Sequence, residues 1–214
     1  MSPSGSNERR NEMGVLVLNG SPKPTGTVAT LLAAVAEGAG GRGAVDWVDV
    51  YGLDVAPCRG CMKCRPDGRC VLPEDDGHRV GEKLRAAGAL VVGTPTHWAN
   101  MSAPLKTLLD RNVPALMGEK PGGMPAPRHA GTPAVVVTAC TTPWPFHVLA
   151  GESSGAIRAV RAALRYSGMR VVGTLVKPGT RRDPALSPSL LARARRLGAR
   201  LVRSRSASSG SAPT

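Results

Sequence analysis

Short apolar runs recur along the chain, spaced to leave room for a helix between each pair. Val15–Leu18, Val45–Val50, Ala89–Val92, Ala134–Ala139 and Arg170–Val176 read as five strands. Runs this short and apolar suit strands covered on both faces, as in a parallel sheet. Between them, Thr27–Glu37 reads as a helix, and Asp76–Ala87 as a weaker one interrupted by Gly81. Asp75 and Asp76 stand where a helix start favours negative charge. Ser102 is a candidate cap, with Pro104 in the first turn, for a helix running to about Leu116. Ser153 or Ser154 caps another that ends near Gly168, and Ser187-Pro188 opens a last one reaching about Arg203. Residues 54–74 and the Gly/Pro-rich stretch 117–131 read as loops rather than elements.

Alternating strands and helices predict a parallel sheet with helices on both faces. Right-handed crossovers leave few topologies, and for five strands the expectation is a flavodoxin-like three-layer α/β sandwich of strand order 2-1-3-4-5. One domain is expected over residues 14–203, with disordered tails at 1–13 and 204–214. Ligands of such sheets bind at the carboxyl ends of the strands, so the loops after the first, third and fourth strands are the candidate site.

The 214 residues suit one domain with a real core, and no apolar run approaches the roughly 18 residues that span a bilayer. The polar stretch Met1–Met13 holds no hydrophobic signal region, so the expected address is the cytoplasm, with no membrane partner. The net charge of +13 is uneven: residues 151–214 hold 13 Lys and Arg against Glu152 and Asp183, a net of +11, whereas the other 150 residues carry only +2. Such a stripe could meet nucleic acid, NADPH phosphates or a polyanionic partner. The plainer reading is a solvated helix face. Leu190, Leu191, Ala194, Leu197 and Leu201 form an apolar stripe that should pack on the sheet, leaving Arg193, Arg195, Arg196, Arg200 and Arg203 on the other faces. No specific nucleic-acid reader is expected.

The first candidate loop, Gly20-Ser-Pro-Lys-Pro-Thr-Gly-Thr27, joins a strand to a helix N-terminus, where backbone N–H groups and the helix dipole favour a phosphate. Ser21, Thr25 and Thr27 add hydroxyls and Lys23 adds charge. The loop lacks a Walker A lysine. The chain's only dinucleotide-like match, Gly38-Ala-Gly-Gly-Arg-Gly43, follows a helix and precedes a strand, the reverse of the required context. One mononucleotide phosphate is therefore expected. The other two loops run over Gly93–Ser102 and Thr138–Phe146 and hold Trp98, Trp144 and Phe146, half of the chain's six aromatics, a choice that suits a flat apolar ligand. His97 and His147 in these loops are candidate proton donors.

Cys58, Cys61, Cys64 and Cys70 stand in a C-x2-C-x2-C-x5-C pattern within one loop. Four thiolates in so short a span can surround one metal centre, and the first three match the compact spacing of ferredoxin ligands, so a [4Fe–4S] cluster is the first reading. Zinc, which prefers two separated knuckles, fits less well, and no metal, with free thiols or a labile disulfide, is the third possibility. Arg59, Lys63, Arg65 and Arg69 alternate with the cysteines and are expected to lower thiol pKa values. Cys140, at the end of the fourth strand, reads as a small core residue rather than a redox partner of the other four.

The motifs Gly20-Ser-Pro-Lys with Gly26, Gly93-Thr-Pro-Thr-His-Trp, and Met101-Ser-Ala-Pro-Leu-Lys-Thr-Leu-Leu-Asp-Arg111 resemble the NADPH-dependent FMN reductase branch of the flavodoxin superfamily. The four-cysteine loop followed by Asp75-Asp76 resembles the iron–sulfur flavoproteins within it. The resemblance runs from about Val15 to Val176. It implies an FMN phosphate held by Ser21, Lys23, Thr25, Gly26 and Thr27. The ring would be held by Pro95, Thr96, His97, Trp98, Ala99, Asn100 and Met101 and by the segment from Thr138 to Cys140. Val28 replaces the family's usual Thr, removing one hydroxyl. A homodimer or dimer of dimers, with FMN at the interface, is also implied. Three functions follow: an FMN oxidoreductase relaying electrons between cluster and flavin, a cluster-free NAD(P)H-dependent quinone, nitro or flavin reductase, and a non-enzymatic redox sensor or carrier. A small molecule or a protein would be the redox partner.

Overall fold

The computed structural model describes residues 14–209. Seven strands, β1 (Val15–Asn19), β2 (Val45–Asp49), β3 (Ala89–Pro95), β4 (Met117–Glu119), β5 (Pro125–Pro127), β6 (Pro133–Ala139) and β7 (Arg170–Lys177), form two sheets. The main sheet is parallel throughout, in the order β2-β1-β3-β6-β7, which is the flavodoxin-like order expected. Eight helices accompany them: α1 (Thr27–Gly38), α2 (Cys64–Asp67), α3 (Asp76–Ala86), α4 (Ala103–Arg111), α5 (Val113–Leu116), α6 (Phe146–Leu149), α7 (Glu152–Tyr166) and α8 (Pro188–Ser209).

Successive strand residues point to opposite faces. Leu16, Leu18, Leu90, Val92 and Val136 meet Val80, Leu84, Leu105, Leu108, Val160 and Leu164 of α3, α4 and α7 on one side. Val15, Val17, Val91, Val135 and Val137 meet Leu31, Leu32 and Val35 of α1 and Ala194 and Leu201 of α8 on the other. The apolar stripe of the last helix is thus turned inward as its pattern predicts. Helices α1 and α8 touch backbone to backbone: a Cβ on Gly38 would fall 1.9 Å from the Arg195 carbonyl oxygen, and one on Gly198 would fall 1.9 Å from that of Val35.

Several expectations change. The stretch 117–131 is not plain loop, because β4 and β5 pair antiparallel within it. Helix α3 runs through Gly81 unbroken. The helix after Ser102 divides at Asn112, and its second part carries Pro114. Ser102 stands at the N-cap position of the first part, as expected, but its hydroxyl makes no cap bond and donates instead to the Gly20 carbonyl at 2.7 Å. Neither Ser153 nor Ser154 caps α7. Gly151, left-handed at φ 69°, precedes it, and Ser153 is buried with its hydroxyl 2.7 Å from Nδ1 of His147. Helix α8 continues to Ser209, so residues 204–209, expected in the tail, are helical. Residues 1–13 and 210–214 lie outside the described residues.

The segment between β2 and α3 is tied down at the start of α3. Asp75 accepts from the Ala56 amide at 3.0 Å and from Nη2 of Arg111, with both carboxylate oxygens at 2.8 Å. Its own amide donates to Nδ1 of His78 at 3.2 Å, closing the first turn. The Arg111 side chain is only 1% exposed. Burial alone would raise the Asp75 carboxyl, but the Ala56 amide, Arg111 and His78 outweigh it and hold Asp75 below the ordinary carboxylate range.

Two predictions follow from this packing. An Ala in place of a mid-helix Gly ordinarily gains up to about 1 kcal/mol. Gly198→Ala should instead lose about 1–3 kcal/mol, the cost of overpacking, in urea unfolding; a stabilised variant would contradict the close crossing. Asp75→Asn should lose about 3 kcal/mol at pH 7, because Arg111 is left buried and unpaired. A depressed carboxylate stabilises above its unfolded value of about 3.9, and that contribution fades as pH falls through the lower folded value. The gap between wild type and Asp75→Asn should therefore close below about pH 4, whereas a gap constant across the acid range would contradict the assignment.

Candidate functional site

The sheet order reverses between β1 and β3, and a groove of about 510 Å³ opens at the carboxyl ends of the strands there. Ser21, Lys23, Thr25, Gly26 and Thr27 line one wall, Pro95, Thr96 and His97 another, and Cys140 and Thr141 the floor. The groove is closed by Thr180, Pro184 and Leu186 from the segment between β7 and α8. These last residues escaped the sequence reading, although the rule of carboxyl-end loops, applied to the fifth strand of the main sheet, would have pointed to Thr180. Its hydroxyl donates to the Cys140 carbonyl at 3.1 Å.

The loop after β1 is braced from beneath. Asn19 is fixed by Asp49 at 2.7 Å and accepts the Ser21 amide at 3.2 Å. Ser21 in turn accepts the Lys23 amide at 3.2 Å, and Gly26 donates to the Lys23 carbonyl at 3.1 Å. Gly26 is extended and supplies no side-chain cap to α1. The first-turn amides of α1 therefore have no intrahelical acceptor, and they start at Thr27 in the groove wall. Hydroxyls, a lysine and amides without helical acceptors in one wall are the chemistry that can seat an anion.

The rest of the predicted ring-binding set divides. Thr138 is fully buried behind the groove, donating to the Thr94 carbonyl at 2.8 Å and standing 3.2 Å from the Thr96 hydroxyl, so it supports Thr96. Met101 is core. The segment His97–Asn100 forms a two-residue hairpin closed by reciprocal amide–carbonyl bonds of 2.9 Å. Its central residues, Trp98 and Ala99, have φ of 50° and 56°, a conformation that ordinarily selects glycine or asparagine. Helix α7 holds the hairpin in place: Gly155 leaves room for the Ala99 carbonyl, which a Cβ there would meet at 2.2 Å. Asn100 accepts the Met101 amide at 2.9 Å. Trp98, Trp144 and Phe146 are exposed and do not line the groove. Of the two candidate proton donors, His97 faces the groove and His147 is buried against Ser153.

The cysteines lie on the anchored segment. Cys58 and Cys61 are exposed, and Cys64 and Cys70 are half-buried. The Gly60 amide donates to the Cys58 sulfur at 3.4 Å, Nη1 of Arg111 donates to the Cys70 sulfur, and Nε2 of His78 meets the Cys70 carbonyl at 3.1 Å. Burial pushes the Cys64 thiol up, and the like charges of Cys70, Cys58 and Cys61 add to this. The sequence expectation of a lowered thiol fails at Cys64 because burial wins, while Arg65 and Arg69 turn to Glu119 and Glu74 at 3.0 and 2.8 Å. Among the described residues, no three Cys, His, Asp or Glu side chains converge as ligands of one ion. The chemistry of the donor set fits a cluster: four thiols on one short segment, two of them accepting N–H bonds of the kind cluster sulfurs take.

Comparison with known proteins gives this arrangement a context. The chain spans about half the length of the curated relatives it matches. It is 36% identical to an iron–sulfur flavoprotein of Methanosarcina thermophila over 102 residues, 47% of this chain and 53% of that one. An iron–sulfur flavoprotein of Archaeoglobus fulgidus is 36% identical over 107 residues, 50% and 52% of the two chains. In fold, the chain is similar to an apo NADH:FMN oxidoreductase (TM-score 0.60, 21% identity, 89% and 88% covered). It is also similar to an NAD(P)H:quinone oxidoreductase from Methanothermobacter marburgensis (TM-score 0.64, 22% identity, 88% and 98% covered). The description "NADPH-dependent FMN reductase" matches residues 13–176, and the chain belongs to that family.

Proposed function

We propose that the chain binds FMN in the groove and is a flavin-dependent oxidoreductase that relays electrons between the flavin and a [4Fe–4S] cluster held by Cys58, Cys61, Cys64 and Cys70. The observation that carries the flavin is the uncapped start of α1, whose amides share one groove wall with Ser21, Lys23 and Thr27. Those residues bind and neutralise the phosphate. FMN, when bound, exchanges one electron with a metal centre or two with a hydride donor such as NAD(P)H. The rigid His97–Asn100 hairpin fixes the opposite wall and keeps His97 there as a proton donor. Helix α4 joins the two sites: Ser102 before it is bonded to Gly20 of the phosphate loop, Arg111 at its end to Cys70, and its nine residues extend about 13 Å.

The exposed apolar residues Trp98, Trp144, Phe146 and Leu149 beside the groove suit burial against a second copy, so the active form is proposed to be a homodimer or dimer of dimers. No described helix is long and apolar enough to cross a membrane; the cytoplasm, where thiols stay reduced, is the proposed place of action. Arg193, Arg195, Arg196, Arg200 and Arg203 of α8 are proposed to be a solvated face. A cluster-free NAD(P)H-dependent reductase is the second reading, favoured by the exposure of Cys58 and Cys61.

Anaerobic purification followed by reconstitution with FMN, iron and sulfide distinguishes the two. The proposal expects a brown protein with flavin and about four irons per chain; NAD(P)H-driven flavin reduction without bound iron would promote the cluster-free reading. The phosphate seat has its own test. Ser21→Ala and Thr27→Ala should each weaken FMN binding by about 1 kcal/mol, roughly fivefold, in fluorescence-quenching titrations. Unchanged affinity in the double variant would place the phosphate elsewhere.

A further inference from the structure

We propose that Arg111 is a positioning and tuning residue for the sulfur centre: its buried guanidinium donates a hydrogen bond to the Cys70 sulfur and raises the reduction potential of the cluster that Cys70 helps to hold. The inference rests on the cluster reading above.

Arg111 is bound on two sides. Nη2 is clamped by both oxygens of Asp75, and Nη1 donates to the Cys70 sulfur. The clamp holds the planar fork still, so the donor to sulfur is set before any metal arrives. Cys70 is pinned twice, through its sulfur by Arg111 and through its carbonyl by His78. Nε2 of His78 meets the Cys70 carbonyl, while Nδ1 lies 3.2 Å from the Asp75 amide and 3.1 Å from Oδ1 of Asp75, so the imidazole ties the cysteine to the same turn.

A buried guanidinium is a poor companion for a neutral thiol, which accepts weakly, and a good one for an anionic sulfur. A cavity of about 60 Å³ beside Cys70 is lined by Arg69 and Arg85 as well as Arg111, with Glu82 the acidic residue among them. Adding an electron to a cluster adds negative charge at its sulfurs. Hydrogen bonds and cations there stabilise the reduced form and move the potential upward. Cys58 and Cys61 are exposed and Cys64 and Cys70 half-buried, and Cys70 is the one whose sulfur accepts from a buried charged side chain. The contact joins residues 41 apart in sequence, so it belongs to the fold and not to a local turn.

The test is an EPR-monitored redox titration of reconstituted protein in three forms: wild type, Arg111→Lys, and the double variant Asp75→Asn with Arg111→Leu. The lysine keeps a charge beside Asp75 but loses the fork. The double variant removes the donor and leaves no unpaired buried charge. With iron content equal to wild type, the double variant should show a one-electron equilibrium constant about tenfold less favourable to reduction, about 59 mV lower. Arg111→Lys should fall between, and the two-electron potential of the flavin should stay in place. Equal potentials in all three forms, at full iron content, would overturn the role of Arg111 and leave the cluster reading intact. A wild type that takes up no iron would overturn both. Should neither variant fold, wild type labelled with 15N-arginine decides by pulsed EPR: a guanidinium nitrogen coupled to the reduced cluster supports the contact, and no coupling overturns it.

Discussion

The amides at the start of α1 have no partners within their helix, and the groove is organised around that deficit. An anion seated there takes up N–H groups that the helix itself cannot pair, and the helix dipole favours its negative charge. The sheet makes this possible. Because its order turns back between β1 and β3, neighbouring loops diverge at that point and the helix end opens onto the groove. Gly26 withholds a cap, and Ser21 spends its oxygen on the Lys23 amide, which shapes the loop and leaves the helix end open.

The second site depends on the first helix pair that the crossover after β2 brings together. The start of α3 and the end of α4 meet through Asp75 and Arg111, and the cysteine segment hangs from that junction. A buried ion pair is weak evidence for stability in itself. Here it also carries a donor toward sulfur, which gives a reason for a charge to be buried where an apolar pair would fold as well. Both sites thus share α4, a short rigid element bonded at one end to the phosphate loop and at the other to Cys70.

Much of this was legible in the sequence, for physical reasons that also explain what was not. The strand runs were readable because a strand covered on both faces must be apolar at every position, as Val15–Leu18 and Ala134–Val137 are. Ser21, Lys23, Gly26 and Thr27 were readable because a strand, a turn and a helix start follow in immediate succession. The β4–β5 pair was hidden in a Gly/Pro-rich stretch whose local signals say only turn. Ser153 carried a valid capping signal, but the buried His147 claimed its hydroxyl. The scarce aromatics suggested a ligand wall. Their exposure shows that scarcity alone does not say which side of a loop a ring will take. The Arg111–Asp75 pair spans 36 positions and has no local signature, so only the fold could bring it into view.

The account's central claim is that this chain reads a flavin through its phosphate at the start of α1. Calorimetric titration of the flavin-free protein with FMN, riboflavin and FAD tests it most directly. The account predicts tight binding of FMN, with riboflavin weaker by at least two orders of magnitude, about 2.7 kcal/mol, because riboflavin brings no anion to the amides, hydroxyls and lysine of that wall. FAD should also bind more weakly, since the groove offers one phosphate seat and no dinucleotide fingerprint. Equal affinity for FMN and riboflavin would contradict the claim.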